Sequence, residues 1–236
     1  MSAAPTFRFV VPAAGAGRRM AVDTPKQYLP IGDRTVIEHT LDALLSCRHC
    51  HSITVVVAAD DARWPEIGQR YADSRIDVVH GGDERSQSVL NALEFLLPAT
   101  QETDWVLVHD AARPCLRTED VETLIDALAD DAVGGLLGVP VADTMKQVDA
   151  DGQVTRTVPR EGLWHALTPQ MFRFGLLHTA LREALSAGQT VTDEASAMEL
   201  AGHRPRMVQG HRDNIKITLP ADLPLAAFYL QTGATS

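Results

Sequence analysis

Four short apolar runs, residues 7–11, 53–58, 76–79 and 105–108, alternate with stretches of helical character, and this alternation restricts the fold more than any other feature of the chain. The runs are rich in Val and Ile and too short for helices, so they read as buried strands. Val36, Ile37, Leu41, Leu44 and Leu45 after the first run fall on one face of a helix over residues 35–46. Val89, Leu93, Leu96 and Leu97 do the same after the third, and Val121, Leu124, Ile125 and Leu128 after the fourth. Residues 64–71, after the second, are expected to be partly helical. Strand and helix in alternation predict a doubly wound, mostly parallel sheet with helices on both faces and ligands at the C-terminal ends of the strands. A length of 236 residues suits a single domain over 1–236.

The first run breaks into Pro12-Ala13-Ala14-Gly15-Ala16-Gly17-Arg18-Arg19-Met20, continued by Pro25-Lys26-Gln27-Tyr28-Leu29. Small residues let backbone N–H groups approach an anion closely, and Arg19 and Lys26 bring positive charge against a polyphosphate. A bare Gly-x-Gly is also what a tight turn uses without any ligand. The spacing argues against two familiar nucleotide sites. A dinucleotide fingerprint needs a small residue where Met20 stands, and no Gly-Lys-Ser/Thr follows to make a P-loop.

Later segments add polar groups where this fold would use them. Gly81, Gly82, Asp83 and Ser88 follow the third strand, where Asp83 is either a ligand contact or a helix cap. Asp110 and Ala111 lie at the mouth of the fourth strand; an Asp there serves a ribose hydroxyl or a metal. Arg113 suits phosphate recognition through its planar fork, and Thr118 is placed to cap the next helix. Residues 133–141 read as a strand at the far side of the sheet. A polar stretch then carries the turn Asp149-Ala150-Asp151-Gly152 between Val148 and Val154, predicting a β-hairpin arm over 143–160 that needs a partner surface. Residues 163–170 return to the domain with Trp164 and Leu167 in the core. A helix over 172–188, a second helix capped by Thr192, short strands at 207–209 and 214–218, and a last helix from Pro220 to about Leu230 complete the reading.

Taken together, the loop Pro-Ala-Ala-Gly-x-Gly-x-Arg-Met with Pro-Lys-Gln-Tyr-Leu, the block 81–88, His109-Asp110-Ala111-Ala112-Arg113-Pro114, Asp143-Thr144-Met145-Lys146, residues 163–170, Thr192-Asp193-Glu194 and residues 214–218 resemble the sugar-phosphate nucleotidylyltransferases. The narrower resemblance is to the 2-C-methyl-D-erythritol 4-phosphate cytidylyltransferase family, and it spans residues 10–218. It implies a Rossmann-like fold with the arm serving dimerisation, and transfer of CMP from CTP to methylerythritol phosphate in non-mevalonate isoprenoid synthesis. It further implies transition-state stabilisation by Arg19 and Lys26, and acceptor positioning by Arg160 and Lys216. CTP contacts are implied at Pro12, Ala13, Ala14, Gly15, Gly17, Lys26, Gly82, Asp83, Ser88, Asp110 and Ala111. The acceptor pocket would be completed by Arg113, Thr144, Thr168 and Thr192. Mg²⁺ is expected on the triphosphate, with Asp110 as its possible protein ligand. The alternatives are a ribitol 5-phosphate cytidylyltransferase, a catalytically silent nucleotide-binding regulator and a dinucleotide-dependent dehydrogenase. The Ala-Arg-Pro-Cys and Trp-His-Ala-Leu-Thr-Pro-Gln blocks disfavour the first, the joint presence of Arg19, Lys26, Arg160 and Lys216 the second, and Met20 the third.

With 21 basic and 31 acidic side chains the net charge is −10, which argues against nucleic acid or an anionic membrane as partner. A small anionic substrate then requires a local basic cluster. There is no apolar stretch of membrane-spanning length and no export signal at the start, so a cytoplasmic location is expected. Cys47, Cys50 and Cys115 give no disulfide framework. Cys47-Arg48-His49-Cys50-His51 has the form of a c-type haem motif, but it falls where a helix should end, and a polar helix terminus is the expected reading.

Overall fold

The computed structural model describes residues 5–15, 24–71 and 75–233. Its elements are, in order, β1 (Phe7–Pro12), a 3-10 turn (Lys26–Tyr28), β2 (Pro30–Ile31), β3 (Arg34–Thr35), α1 (Val36–Leu45), β4 (Cys50–Val57), α2 (Trp64–Arg70), β5 (Ile76–His80), α3 (Arg85–Leu96), a second 3-10 turn (Leu97–Ala99) and β6 (Trp105–Val108). The second half runs α4 (Thr118–Leu128), β7 (Gly134–Pro140), β8 (Met145–Val148), β9 (Val154–Val158), β10 (Trp164–Arg173), α5 (Phe174–Ser186), α6 (Glu194–Leu200), β11 (Arg206–Gln209) and α7 (Asp222–Gly233).

Seven strands form one sheet in the order β11-β7-β10-β6-β1-β4-β5. All neighbouring pairs are parallel except those of β10, which runs antiparallel to both β6 and β7. Side chains divide by the two-residue period of a strand. Phe9, Val11, Trp105 and Leu107 face the layer holding Ile37, Leu41 and Leu124, whereas Val10, Val106 and Val108 face Val89, Leu93, Leu177 and Met198. The central strands β1, β4 and β6 are therefore apolar on both sides, and the sheet is covered twice. Successive strands run outward from β1 to β4 and β5 on one side and to β6 on the other, so a crevice opens beside the C-terminal end of β1.

Four sequence expectations need correction. Residues 164–173 form a ten-residue strand in the middle of the sheet rather than a return segment; Pro169 disguises it, because proline removes a ladder donor, and the register does shift between Ala166 and Gln170. The following helix accordingly starts at Phe174, with Phe172 still in the strand. Residues 214–218 are not a strand. The alternation of Ile215 and Ile217 is used instead against α7 and the loop after β6, with Ile217 N–H donating to the Ala112 carbonyl at 2.8 Å. The third and fourth concern caps. Thr118 is the first residue of α4 and Arg117 holds the cap position. At α6 it is Asp193, not Thr192, whose carboxylate accepts from Ser196 N–H at 2.9 Å.

The arm forms as expected. β8 and β9 pair only with each other, and the turn is closed by Asp149, whose Oδ1 accepts from Asp151 and Gln153 N–H groups, with Gly152 at φ +78°. Met145, Val148 and Val154 are exposed along it.

Candidate active site

The loops that leave β1, β5 and β6 meet at one edge of the sheet because those strands and β4 are parallel. Each loop is tied to the ladder at its root: Ala13 N–H donates to Val56, Gly81 to Val57 and His109 to Val10. The buried Gln27 amide then donates to the Ala13 carbonyl at 2.6 Å and to that of Gly15 at 3.2 Å, so the Pro-Lys-Gln turn fixes the glycine loop from behind. The β5 loop is drawn against it. A Cβ at Gly81 would stand 2.6 Å from Ser88 Oγ and 2.7 Å from the Ala14 methyl, so this close approach requires glycine. Ser88 shapes the same loop, accepting from Gly82 N–H at 3.2 Å and donating to the Glu84 carbonyl at 3.0 Å.

Asp110 is the hub of the site. Its Oδ1 meets Arg85 Nε at 3.1 Å, and its Oδ2 meets Lys216 Nζ at 2.8 Å and Arg113 Nε at 3.5 Å. Burial alone would raise this carboxyl, but the charges of Arg85, Lys216 and Arg113 overcome it and hold Asp110 well below the usual carboxylate range. Arg85 in turn forks onto Glu194 at 2.7 and 3.1 Å; burial would depress its guanidinium, and the two carboxylates reverse that.

Behind the hub lies a chain of hydrogen bonds whose direction follows from donor accounting. Asp110 N–H donates to Thr168 Oγ1 at 3.2 Å, leaving the hydroxyl to donate to His109 Nδ1 at 2.9 Å. His109 Nε2 then carries the proton and donates to the Arg113 carbonyl at 3.1 Å. This requires a neutral ring, and burial lowers the His109 pKa to about 4. Arg113 Nη1 donates to the Asn214 carbonyl at 2.7 Å, and Asn214 Nδ2 donates to the Thr168 carbonyl at 2.8 Å, which delivers the 214–218 segment to the site. With Ile217 buried on one side, Lys216 points to the other.

Of the residues expected from sequence, Pro12, Ala13, Lys26, Asp110, Ala111 and Lys216 line one cleft together with Gln27 and Arg85. Lys216 also borders an adjoining cavity of about 470 Å³ walled by Arg113, His165 and Arg212. Arg19 and Gly17 lie outside the described residues. Thr168 and Arg113 are present, but their polar groups largely serve the protein itself, as the hydrogen bonds above show. Asp83 is exposed, as are Thr144 at the root of the arm and Thr192 beside the α6 cap. Arg160, also exposed, donates across the base of the arm to the Ala142 carbonyl. Sequence reasoning missed Arg85, Glu194, Gln27 and Asn214. Arg85 lies within the glycine-containing block 81–88, but the partner that gives it meaning is a carboxylate 109 positions away.

A larger cavity, about 750 Å³ between α1, the loop before α4 and α7, takes no part in this arrangement. Cys47 and Cys50 are buried at the end of α1 and the start of β4; the Cys47 thiol is pushed up to about 12, mainly by burial. Among the described residues no three His, Cys, Asp or Glu side chains are grouped to hold a metal ion, and no helix is long and apolar enough to cross a membrane.

A doubly wound sheet whose first loop is a glycine turn backed by Gln27, with Lys26 lining the cleft that faces a carboxylate hub with its own cations, has the form of a nucleotidyltransferase. The comparisons narrow the class. Residues 7–232 match the family model of 2-C-methyl-D-erythritol 4-phosphate cytidylyltransferase (IspD), and the chain belongs to that family. It is 54% identical over 222 residues to the enzyme of that name from Hahella chejuensis (94% of this chain, 92% of the relative). It is also 54% identical over 221 residues to that from Pseudomonas entomophila (93% of each). Among solved structures it superposes on a 4-diphosphocytidyl-2C-methyl-D-erythritol synthase with a TM-score of 0.84 at 38% identity, covering 96% of this chain and 99% of the other. The Francisella tularensis 2-C-methyl-D-erythritol 4-phosphate cytidylyltransferase gives 0.81 at 33% identity, covering 95% and 99%.

Proposed function

We propose that the chain transfers CMP from CTP to 2-C-methyl-D-erythritol 4-phosphate at the cleft between the glycine loop, Asp110 and Lys216, releasing pyrophosphate. The observation that carries this reading is the meeting of Lys26, Asp110 and Lys216 in one cleft at the sheet's crevice. The acceptor phosphate attacks the α-phosphorus of CTP in line, so two anions must be brought together; positioning and neutralisation do the work and no covalent enzyme intermediate is needed. The backbone around Ala13 to Gly15, held by Gln27, receives the triphosphate. Lys26, with Arg19, stabilises the charge that builds up in transfer. Gly82, Asp83 and Ser88 meet the cytosine; Gly81 packs closely on Ala14 beside them, and a pocket so walled would select a pyrimidine by size.

Lys216 and Arg160 hold the acceptor phosphate, and Thr144 and Thr192 complete its pocket. Arg113 and Thr168 act by fixing Asn214, and hence Lys216. Both oxygens of Asp110 are held by Arg85, Lys216 and Arg113, so Asp110 could ligate Mg²⁺ only by giving up one of these partners, and the ion would rest mainly on triphosphate and water oxygens. Bound there it would neutralise the triphosphate. The arm, with Met145, Val148 and Val154 exposed, serves a two-fold homodimer in which Arg160 reaches the partner's site. The acidic surface and the buried thiols suit a cytoplasmic enzyme.

Pyrophosphate release tests the assignment, measured with CTP, UTP, ATP and GTP against both methylerythritol 4-phosphate and ribitol 5-phosphate. The expected result is release with CTP and methylerythritol 4-phosphate alone; faster turnover of ribitol 5-phosphate would overturn the acceptor, and a purine preference the base.

A further inference from the structure

We propose that Arg85 is a positioning residue for transfer: clamped by Glu194, it fixes one oxygen of Asp110 and thereby keeps Lys216 exchangeable on the other. This rests on the reading above that Asp110 belongs to the transfer site.

Glu194 is only 1% exposed, and both of its oxygens are taken by the Arg85 fork. Its place is set by the start of α6, where Gln170 donates to Asp193 Oδ2 at 2.9 Å and accepts from Ala195 N–H at 2.7 Å. A buried ion pair is a poor way to pack two helices, since apolar side chains of similar volume hold as well without desolvating charge. What the pair provides is direction. Two parallel bonds lock the guanidinium plane, and the remaining Nε–H is left aimed at Asp110 Oδ1, 3.1 Å away.

The two oxygens of Asp110 thus have different holders. Oδ1 belongs to Arg85, whose fork is fixed, while Oδ2 is shared between the buried Arg113 and Lys216, whose side chain is 37% exposed and the freer to leave. Arg85 carries part of the attraction that Asp110 would otherwise exert on Lys216. Without it the carboxylate turns toward Lys216 and holds it more tightly, at the expense of the acceptor phosphate. The clamp joins the first turn of α3, the mouth of β6 and the first turn of α6, three segments far apart in sequence.

The test uses the full chain with Arg85→Lys, Glu194→Gln, Asp110→Asn and the double variant Arg85→Lys/Asp110→Asn, each assayed for kcat, for KM of both substrates and for melting temperature. Arg85→Lys and Glu194→Gln should each lower kcat by about tenfold and raise the acceptor KM about threefold with little change in the CTP KM, alongside a fall in melting temperature from weakening a buried pair. In the Asp110→Asn background Arg85→Lys should have no further effect on kcat. Glu194→Gln keeps the shape of the site and carries the test should Arg85→Lys not fold. A lowered melting temperature with wild-type kcat and KM would make the clamp a packing device. Multiplying effects of Arg85→Lys and Asp110→Asn would show that Arg85 does not act through Asp110. Wild-type kinetics in Asp110→Asn alone would remove Asp110 from the transfer site itself.

Discussion

Lys216 Nζ lies 2.8 Å from Asp110 Oδ2, although Asp110 comes from the loop after β6 and Lys216 from an irregular segment just before α7. The contact is built by Ile217, buried beneath it, and by Arg113 and Asn214 beside it. In the proposed reaction this lysine would act on the acceptor phosphate. Lys216→Ala should raise the acceptor KM and lower kcat/KM by about a hundredfold, about 2.7 kcal/mol, with the CTP KM nearly unchanged. Equal losses for both substrates would show that Lys216 serves the nucleotide as well.

The arm makes a prediction about subunits. If Arg160 completes the partner's site, Lys26→Ala and Arg160→Ala homodimers are each nearly inactive, while a mixed dimer holds one doubly damaged site and one intact one. After random exchange of equal amounts about half the dimers are mixed, and about a quarter of wild-type activity should return. Exchange demonstrated with labelled subunits, but without recovered activity, places Arg160 in its own chain's site.

His109 gives stability a defined pH dependence. Its folded pKa of about 4 lies below the ordinary histidine value, so on acidification the unfolded chain takes up a proton before the folded one does. Stability is level above pH about 6.5 and falls between there and pH about 4, by up to about 3 kcal/mol from this group. Asp110 is shifted down as well, but from a lower starting value: its contribution is intact above the ordinary carboxylate value and is lost only below it, outside this window. Urea unfolding from pH 7 to 4.5 should show the fall in the wild type and a shallower one in His109→Gln; parallel curves would mean that the ring titrates normally.

At α6 the structure reverses the order of importance expected from sequence. Asp193→Ala removes the carboxylate that accepts from Ser196 N–H and should cost about 1 kcal/mol, whereas Thr192→Ala should cost a few tenths at most. Thermal or urea unfolding of the two variants decides it, and a larger loss at Thr192 would restore the hydroxyl as the cap.

The parallel half of the sheet was legible because β1, β4 and β6 are buried on both faces and so appear as unbroken apolar runs. β10 was not, because His165, Thr168, Pro169 and Gln170 make it polar and interrupt its donors; Thr168 serves the hydrogen-bond frame behind Asp110 and Gln170 the start of α6 rather than strand pattern. In the site, glycines and cations placed next to strand ends could be found by position. Arg85, Glu194 and Asn214 could not, since each gains its role from a partner on another element, and nothing local distinguishes a clamped arginine from a solvated one. The 214–218 segment shows the same limit: its two-residue alternation is real, but what it packs against is α7 and a loop.

A cleft that works by lining up two anions leaves a stereochemical signature at the α-phosphorus. Transfer from CTP made chiral at that centre by sulfur substitution, analysed by phosphorus NMR of the cytidine diphosphate product, should show inversion, as one in-line displacement requires. Retention would mean two displacements and a covalent nucleotidyl-enzyme, and would contradict direct attack between Lys26 and Lys216.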